Sequence, residues 1–207
     1  MEKIILLGCG GHAKSMADSI ESLGKYEIVG FVGTESDKDF SYKTYKCIAR
    51  DEDLKELYDS GIKNAAISMG FMGGSSPREK LFESLQNIGY NLPAIIDKSA
   101  AVASDAKIGA ASFVGKNAVI NANATLGKLA IINSAAVVEH DCTFGDNVHL
   151  SVGAVACGNV TVGSDTFLGA NSTIIQGKVI GDNVLLGAGS LVLTDVTDNV
   201  KVYGLVK

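Results

Sequence analysis

From Val102 onward an apolar residue stands at every sixth position, and the chain can be cut into sixes with no remainder as far as Thr197. The pieces begin V102-ASDAK, I108-GAASF, V114-GKNAV and I120-NANAT, and end I180-GDNVL, L186-GAGSL and V192-LTDVT. All 16 first positions over these 96 residues are apolar, so the period is a property of the whole stretch. A period of six is neither the 3.6-residue spacing of a helix nor the plain alternation of a strand. It is a repeat signature, and such a repeat sets the fold before local propensity does. One hexad predicts a short strand and a corner, three hexads a triangular turn, and the whole run a little over five turns. First-position aliphatics are expected to point inward and stack, because each turn buries its apolar side only against its neighbours. The fifth position is Ala, Ser, Thr, Cys or Val in 15 hexads, with Lys178 the exception, so the space beside the columns must be narrow. Gly, which holds the second position in 8 hexads, and Asn are expected at corners because they tolerate left-handed backbone.

Residues 1–97 follow another rhythm. "KIILL" reads as a buried strand ended by "GCGGH", and "AKSMADSIESLG" as an amphipathic helix stopping at Gly24. "YEIVGFV" is a second strand, "RDEDLKELYDSG" a charged helix closing on Gly61, and "NAAISMG" a further strand. "SPREKLFESLQNIG" offers Ser76 as N-cap, Pro77 at the first helical position and Gly89 at the end. "YNLPAII" finishes the unit. Strands alternating with helices predict a small parallel sheet covered by helices. The expected organisation is an α/β Rossmann-like domain over 1–97 followed by the repeat domain over 98–207, with the boundary near Asp97 to Ala101.

Composition narrows the function. With 207 residues, 46% hydrophobic content and a net charge of −5, the chain reads as soluble and folded, without the basic footprint of a nucleic-acid or anionic-membrane binder. Cys9, Cys47, Cys142 and Cys157 lack C-x-x-C spacing and read as reduced thiols of a cytoplasmic protein. "LLGC" imitates a lipoprotein cleavage site, but the apolar run Ile4 to Leu7 is too short for a signal segment. No later run approaches a membrane span.

Two stretches carry candidate chemistry. Gly8-Cys9-Gly10-Gly11-His12 lies between the first strand and the first helix, where glycines let backbone N–H groups approach a phosphate and a helix N-terminus favours negative charge. Read as G-x-G-x-x-A it ends on Ala13, but "FVGTE" offers Gly33 and Thr34, with Glu35 only later, where a dinucleotide enzyme wants an acid closing the second strand. A nucleotide phosphate therefore fits better than NAD chemistry, a merely tight strand-to-helix turn is the rival, and Cys9 reads as a small buried residue. The second stretch is "VVEHDC". Val138 points inward in the hexad frame, so Glu139, His140 and Asp141 fall at a corner. A solvated corner accounts for Asp146, Asn147, Ser164 and Asp165. It accounts poorly for His140, whose counterparts 18 residues away are Ala122 and Gly158, leaving the imidazole in a groove. An imidazole with a pKa of about 6.5 suits proton removal at neutral pH, and an adjacent carboxylate can hold its other nitrogen.

The repeat resembles the left-handed parallel β-helix of hexapeptide-repeat acyltransferases. "LLGCGGHAK", then "SMGFMGGSSPREKLF", then "AVASDAKIG" entering hexads that hold "VVEHDC", resembles over essentially the whole chain the family of sialic-acid O-acetyltransferases and bacterial nucleotide-amino-sugar N-acetyltransferases. That resemblance implies a homotrimer using acetyl-CoA, with His140 as general base, Asp141 tuning it and Glu139 as second choice of partner. It also implies acetyl-CoA contacts at Asn133, His149, Gly158, Ala170 and Ala188, the coenzyme running between neighbouring prisms. The nucleotide end of the acceptor would rest on Gly10, Gly11 and His12, with Gly33, Thr34 and Gly70 as further contacts, presenting its sugar to His140.

The leading expectation is acetyl transfer to a 4-amino nucleotide-linked sugar. The nearest alternative is O-acetylation of a free sialic-acid-type sugar, and a non-catalytic nucleotide-binding scaffold is a third reading. A zinc enzyme of the γ-carbonic-anhydrase type needs three histidines. This chain has only His12, His140 and His149, the first in the other domain, so no metal is expected. Two departures from the family pattern stand out. Gly33-Thr34 replaces an acidic pair, which puts the nucleobase or even a nucleotide acceptor in question. "VYGLVK" replaces the usual G-x-P-A-K ending, so either the C-terminal edge of the coenzyme site differs or the chain is shortened.

Overall fold

A computed structural model of the protein describes residues 1–73 and 77–207. The chain divides into two compact units. One is Met1–Gly70 with Pro77–Ile95, and the other takes residues 71–73 together with Ile96–Lys207.

The first unit is built on a five-stranded sheet. Its strands are β1 (Glu2–Leu7), β2 (Tyr26–Gly33), β3 (Ser41–Tyr42), β4 (Tyr45–Arg50) and β5 (Asn64–Ile67), in the order β3-β4-β2-β1-β5. β1 pairs in parallel with β2 and β5, and β2 in parallel with β4. Ile4 to Leu7 are fully buried, which is what a continuous apolar run predicts for a central parallel strand. The antiparallel β3–β4 hairpin escapes the sequence pattern, because β3 is a two-residue edge strand and β4 beside it alternates half-buried and exposed positions.

Helix α1 (Gly11–Leu23) buries Ala13, Met16, Ala17 and Ile20 on one face and ends at Gly24, which is left-handed at φ 64°. The charged segment after β4 is shorter than its pattern suggests: a 3₁₀ turn at Asp51–Asp53 leads into a six-residue helix α2 (Leu54–Asp59). Helix α3 (Arg78–Ile88) buries Leu81, Phe82 and Leu85 and is closed by Gly89 at φ 108°. Pro77 sits one place earlier than expected, at the N-cap, and Ser76 lies outside the described residues.

The second unit realises the hexad frame as a left-handed parallel β-helix. Each strand is two residues long, made of the sixth position of one hexad and the first of the next. Val119, Val137, Val155, Thr173 and Leu191 pair successively, each 18 residues from the last, so three hexads make one coil. The three faces are parallel sheets of seven, five and seven strands. Val138, Ala156, Ile174 and Val192 form one inward column, all at 0% exposure, flanked by fifth-position Ala118, Ala136, Cys142 and Ala154. The last coil is tighter: Leu185 pairs with Lys201, 16 residues on.

The corner chemistry differs from the expectation in one respect. The left-handed residue is the fourth of the hexad, usually Asn or Asp, as at Asn117, Asn123, Asp141, Asn159 and Asn183, whose φ values lie between 53° and 60°. Second-position glycines are needed for another reason, the closeness of the next coil. A Cβ on Gly169 would lie 2.5 Å from the Ala188 backbone nitrogen. Among the described residues, no helix is long and apolar enough to cross a membrane.

Candidate active site

At one corner of the prism, the buried Val138 is followed by Glu139, His140 and Asp141 on the surface. Asp141 takes the left-handed position, φ 60°, which turns its carboxylate back onto the preceding side chain. Its Oδ2 lies 2.8 Å from His140 Nδ1, and the imidazole remains 59% exposed. A carboxylate only accepts, so Nδ1 carries the proton and Nε2 presents a lone pair. Asp141 raises the His140 pKa above that of an ordinary imidazole, chiefly through this hydrogen bond. Asp141 itself is held below the usual carboxylate range, first by Asn123 and then by His140.

Glu139 does something else. Its Oε2 accepts from Asn121 Nδ2 at 2.8 Å and from the His140 backbone N–H at 3.2 Å. The structure therefore gives the ring to Asp141, and Glu139 braces the backbone instead. Asn123 Nδ2 donates to Asp141 Oδ1 at 2.9 Å. No motif marks Asn121 or Asn123. Their signal is positional, since "NANAT" lies one coil, 18 residues, before "EHDCT".

The coil above supplies the groove. A Cβ added at Gly158 would lie 2.6 Å from both Cε1 and Nε2 of His140. Only a glycine there lets the imidazole lie across the next coil with Nε2 open.

A second corner holds other candidates. Asn133, Ala170 and Ala188 lie just after the inward residues Ile132, Leu168 and Leu186 of one column, whose fourth member is Leu150, and the two alanines keep that edge low. His149 pairs in register with Ile131 on the adjoining face and is 7% exposed. Its Nε2 is 3.2 Å from Asn133 Nδ2 and its Nδ1 is 2.5 Å from the carbonyl oxygen of Phe71. Within one chain, then, His140, Asp141, Glu139 and Gly158 share one corner, and Asn133, Ala170 and Ala188 share another.

The first unit holds a separate cavity of about 430 Å³ at the C-terminal ends of β1, β2 and β5. Gly10, Gly11, His12, Gly33, Thr34 and Gly70 all line it. Gly10 is the extended N-cap of α1, and no side chain caps this end among the described residues, which leaves first-turn N–H groups for an outside acceptor. A Cβ at Gly10 or Gly11 would meet nothing within 4 Å. Neither glycine is demanded by packing.

Gly33 is different, because a Cβ there would lie 2.7 Å from Cys9 Sγ. Thr34 is held by Asp37, whose Oδ2 accepts from its backbone N–H at 2.8 Å and its hydroxyl at 2.7 Å. Burial, with Cys47 close by, pushes the Cys9 thiol up to about 12, so Cys9 is a packed thiol and a poor nucleophile.

Among the described residues, no group of three His, Cys, Asp or Glu side chains could hold a metal ion.

Comparisons with known proteins fit both units. The PglD N-terminal domain family matches residues 3–85, and the hexapeptide repeat of succinyl-transferase matches 159–195 and 178–202. No curated protein sequence matches the chain. Among solved structures, PerB from Caulobacter crescentus, crystallised with CoA and GDP-perosamine, is similar with a TM-score of 0.92 at 30% identity, over 99% of this chain and 95% of that one. The acetyltransferase domain of PglB from Neisseria gonorrhoeae, in complex with acetyl coenzyme A, is similar with a TM-score of 0.90 at 30% identity, over 98% and 96%. WeeI from Acinetobacter baumannii shares the fold, with a TM-score of 0.79 at 20% identity over 99% and 97%. An acidic–histidine–acidic corner on a β-helix, a glycine loop on an α/β unit and likeness to these enzymes along nearly the whole chain place it among the acyltransferases, and it belongs to the hexapeptide-repeat sugar acetyltransferases, the family of the sialic-acid O-acetyltransferases and nucleotide-4-amino-sugar N-acetyltransferases.

Proposed function

We propose that this acyltransferase moves the acetyl group of acetyl-CoA onto the 4-amino group of a nucleotide-linked sugar, with His140 as general base, in a cytoplasmic homotrimer. The carrying observation is the His140 imidazole, fixed by Asp141 at 2.8 Å with Nε2 open over Gly158. The substrates bound by PerB and the PglB domain, CoA with GDP-perosamine and acetyl-CoA, support the choice of donor and acceptor. The two-corner arrangement supports the trimer. Base and acetyl-site candidates occupy different corners of one prism, so neighbouring copies would complete each site.

The chemistry balances simply. The amine lone pair attacks the thioester carbonyl carbon, its N–H proton passes to His140 Nε2, and the C–S bond breaks as the intermediate collapses. The departing thiolate takes that proton back, giving CoA–SH and the N-acetyl sugar. Asp141 stabilises the transient imidazolium. The cavity beside Gly10–His12 would take the nucleotide end through backbone N–H groups.

A thiol-release assay tests this. Acetyl-CoA is offered with UDP- and GDP-linked 4-amino sugars, with sialic acid and with no acceptor. Turnover on an amino sugar is the expected result. Turnover on sialic acid alone would move the assignment to O-acetylation, and CoA binding without turnover on any sugar would favour a scaffold.

Two variants refine it. Because Asp141 raises the His140 pKa, the base is lost by protonation at a higher pH than an unassisted imidazole would be. Asp141→Asn is therefore expected to move the acid limb of the kcat profile to lower pH. Its plateau should fall by roughly 10- to 100-fold, because the base is weaker and its tautomer unfixed. A profile measured from about pH 5 to 9 with an unmoved limb would remove Asp141 from the mechanism. Gly11→Ala, in open space at the first helical position, should leave the melting temperature level or slightly raised. It should raise KM for the nucleotide sugar about tenfold at unchanged kcat, read from initial rates against acceptor concentration.

A further inference from the structure

His149 sits in a hydrogen-bond chain whose direction is fixed at both ends. At one end the Ser134 backbone N–H, which can only donate, lies 2.8 Å from Asn133 Oδ1. At the other, the Phe71 carbonyl, which can only accept, lies 2.5 Å from His149 Nδ1. Between them Asn133 Nδ2 meets His149 Nε2 at 3.2 Å. Only one assignment satisfies all three contacts: Ser134 N–H to Asn133 Oδ1, Asn133 Nδ2–H to His149 Nε2, and His149 Nδ1–H to the Phe71 carbonyl. Flipping the Asn133 amide would set an NH₂ against the Ser134 N–H. In the neutral ring it would also require Nε2 to carry the proton, leaving Nδ1 as an acceptor facing a carbonyl oxygen. The imidazole is 7% exposed and meets the Phe167 ring edge-on, with centroids 5.1 Å apart at 81°, so its plane is fixed as well.

The segment that delivers the Phe71 carbonyl lies along this face. A Cβ at Gly73, φ 87°, would touch Leu185 Cδ1 at 3.3 Å and Phe167 Cβ at 3.6 Å, so residues 71–73 lie on the column that carries His149. Phe71 is itself buried. Asn133 is only half-buried, and one of its two Nδ2 hydrogens is not used by the chain of bonds just described.

We propose that His149 is a positioning residue: the Phe71 carbonyl sets its tautomer, and through Nε2 it holds Asn133 with one amide hydrogen directed outward to the carbonyl oxygen of the acetyl thioester. This rests on the acetyl-CoA reading above and reassigns His149 from a coenzyme contact to the support of one. Asn133 becomes the donor that favours the developing oxyanion.

Two near-isosteric variants separate the roles. The His149→Asn amide reaches the Nδ1 position, so it can still bond to Phe71 but cannot accept from Asn133. The His149→Gln amide oxygen reaches the Nε2 position and can accept from Asn133. His149→Asn is expected to lower kcat roughly 10- to 100-fold, with KM for the acceptor unchanged, whereas His149→Gln should stay within about threefold of wild type. Asn133→Ala combined with His149→Asn should be little worse than either alone.

A binding measurement frees the test from turnover. Calorimetry should show acetyl-CoA binding tighter than CoA to wild type, an advantage that shrinks about tenfold in His149→Asn and survives in His149→Gln, with CoA affinity level throughout. Nitrogen-15 NMR of the wild-type imidazole should show the proton on Nδ1. A proton on Nε2 overturns the proposal, as does an equal loss of CoA affinity in both variants, which would make His149 a direct coenzyme ligand. Wild type silent toward every acceptor would overturn the proposed function instead, while the calorimetric and NMR results still decide the role of His149.

Discussion

Replacing His140 with alanine is expected to lower kcat by about 10²- to 10⁴-fold and to leave the melting temperature where it was. The first half follows from the base. An amine attacking a thioester must shed a proton, and at this corner His140 Nε2 is the lone pair presented over Gly158. Asp141 and Glu139 are poor substitutes, since both are drawn away by Asn123 and Asn121 one coil below. The second half follows from exposure. The imidazole side chain is 59% exposed and lies outside the apolar column, so its removal opens no cavity. KM for both substrates should change little, because the ring acts on the proton that moves during reaction. Initial-rate kinetics beside a thermal melt check both halves together. An alanine variant that melts early would mean that the ring holds the corner together, and its lost activity would then say nothing about proton transfer.

Much of this corner is legible in the sequence because the β-helix is nearly one-dimensional. Once the period is known, a residue's neighbours lie 18 positions either side, so Val138, Ala156, Ile174 and Val192 can be stacked on paper, and so can Ala122, His140 and Gly158. The same rule would have returned Asn121 and Asn123 beneath the two carboxylates had it been applied one coil down. It does not say which carboxylate takes the ring. That choice comes from the left-handed backbone at Asp141, which the sequence shows only as an Asp at the fourth position. The second-position glycines suggest φ freedom in the sequence, whereas the constraint in the structure is contact between coils, a distance that no local propensity encodes.

Outside the repeat the sequence is less informative. The β3–β4 hairpin lies at a sheet edge and half-solvated, so its apolar pattern is weak. The Phe71–His149 bond joins residues 78 apart through a main-chain carbonyl, a group that every residue carries and no motif marks. In the hexad frame His149 reads as a structural corner residue, and by resemblance to the family as one near the coenzyme. Its protonation state and its hold on Asn133 emerge only when the two backbone ends of the chain of bonds are seen in place.

Gly158→Ala should nearly match the loss seen on removing the base, about 100-fold in kcat, with every group of the base motif still present. The new Cβ would start 2.6 Å from His140 Nε2 and Cε1, well inside van der Waals contact. Gly158 is not among the positive-φ glycines, so the backbone accepts alanine, and the clash is with the tip of an exposed side chain that can swing aside. Swinging aside either breaks the 2.8 Å bond to Asp141 or carries Nε2 away from the groove. The fold should therefore survive while the proton acceptor is displaced. Gly109→Ala is the matched control, because its Cβ would meet the Lys128 backbone nitrogen at 2.4 Å and no side chain can yield. That variant should lose stability by about 1–3 kcal/mol, with activity falling only as far as the folded fraction does. Chemical denaturation and kcat measured on both proteins distinguish a groove kept open for catalysis from a coil merely kept close. Equal loss of stability in the two would show that the glycine above His140 serves packing and nothing more.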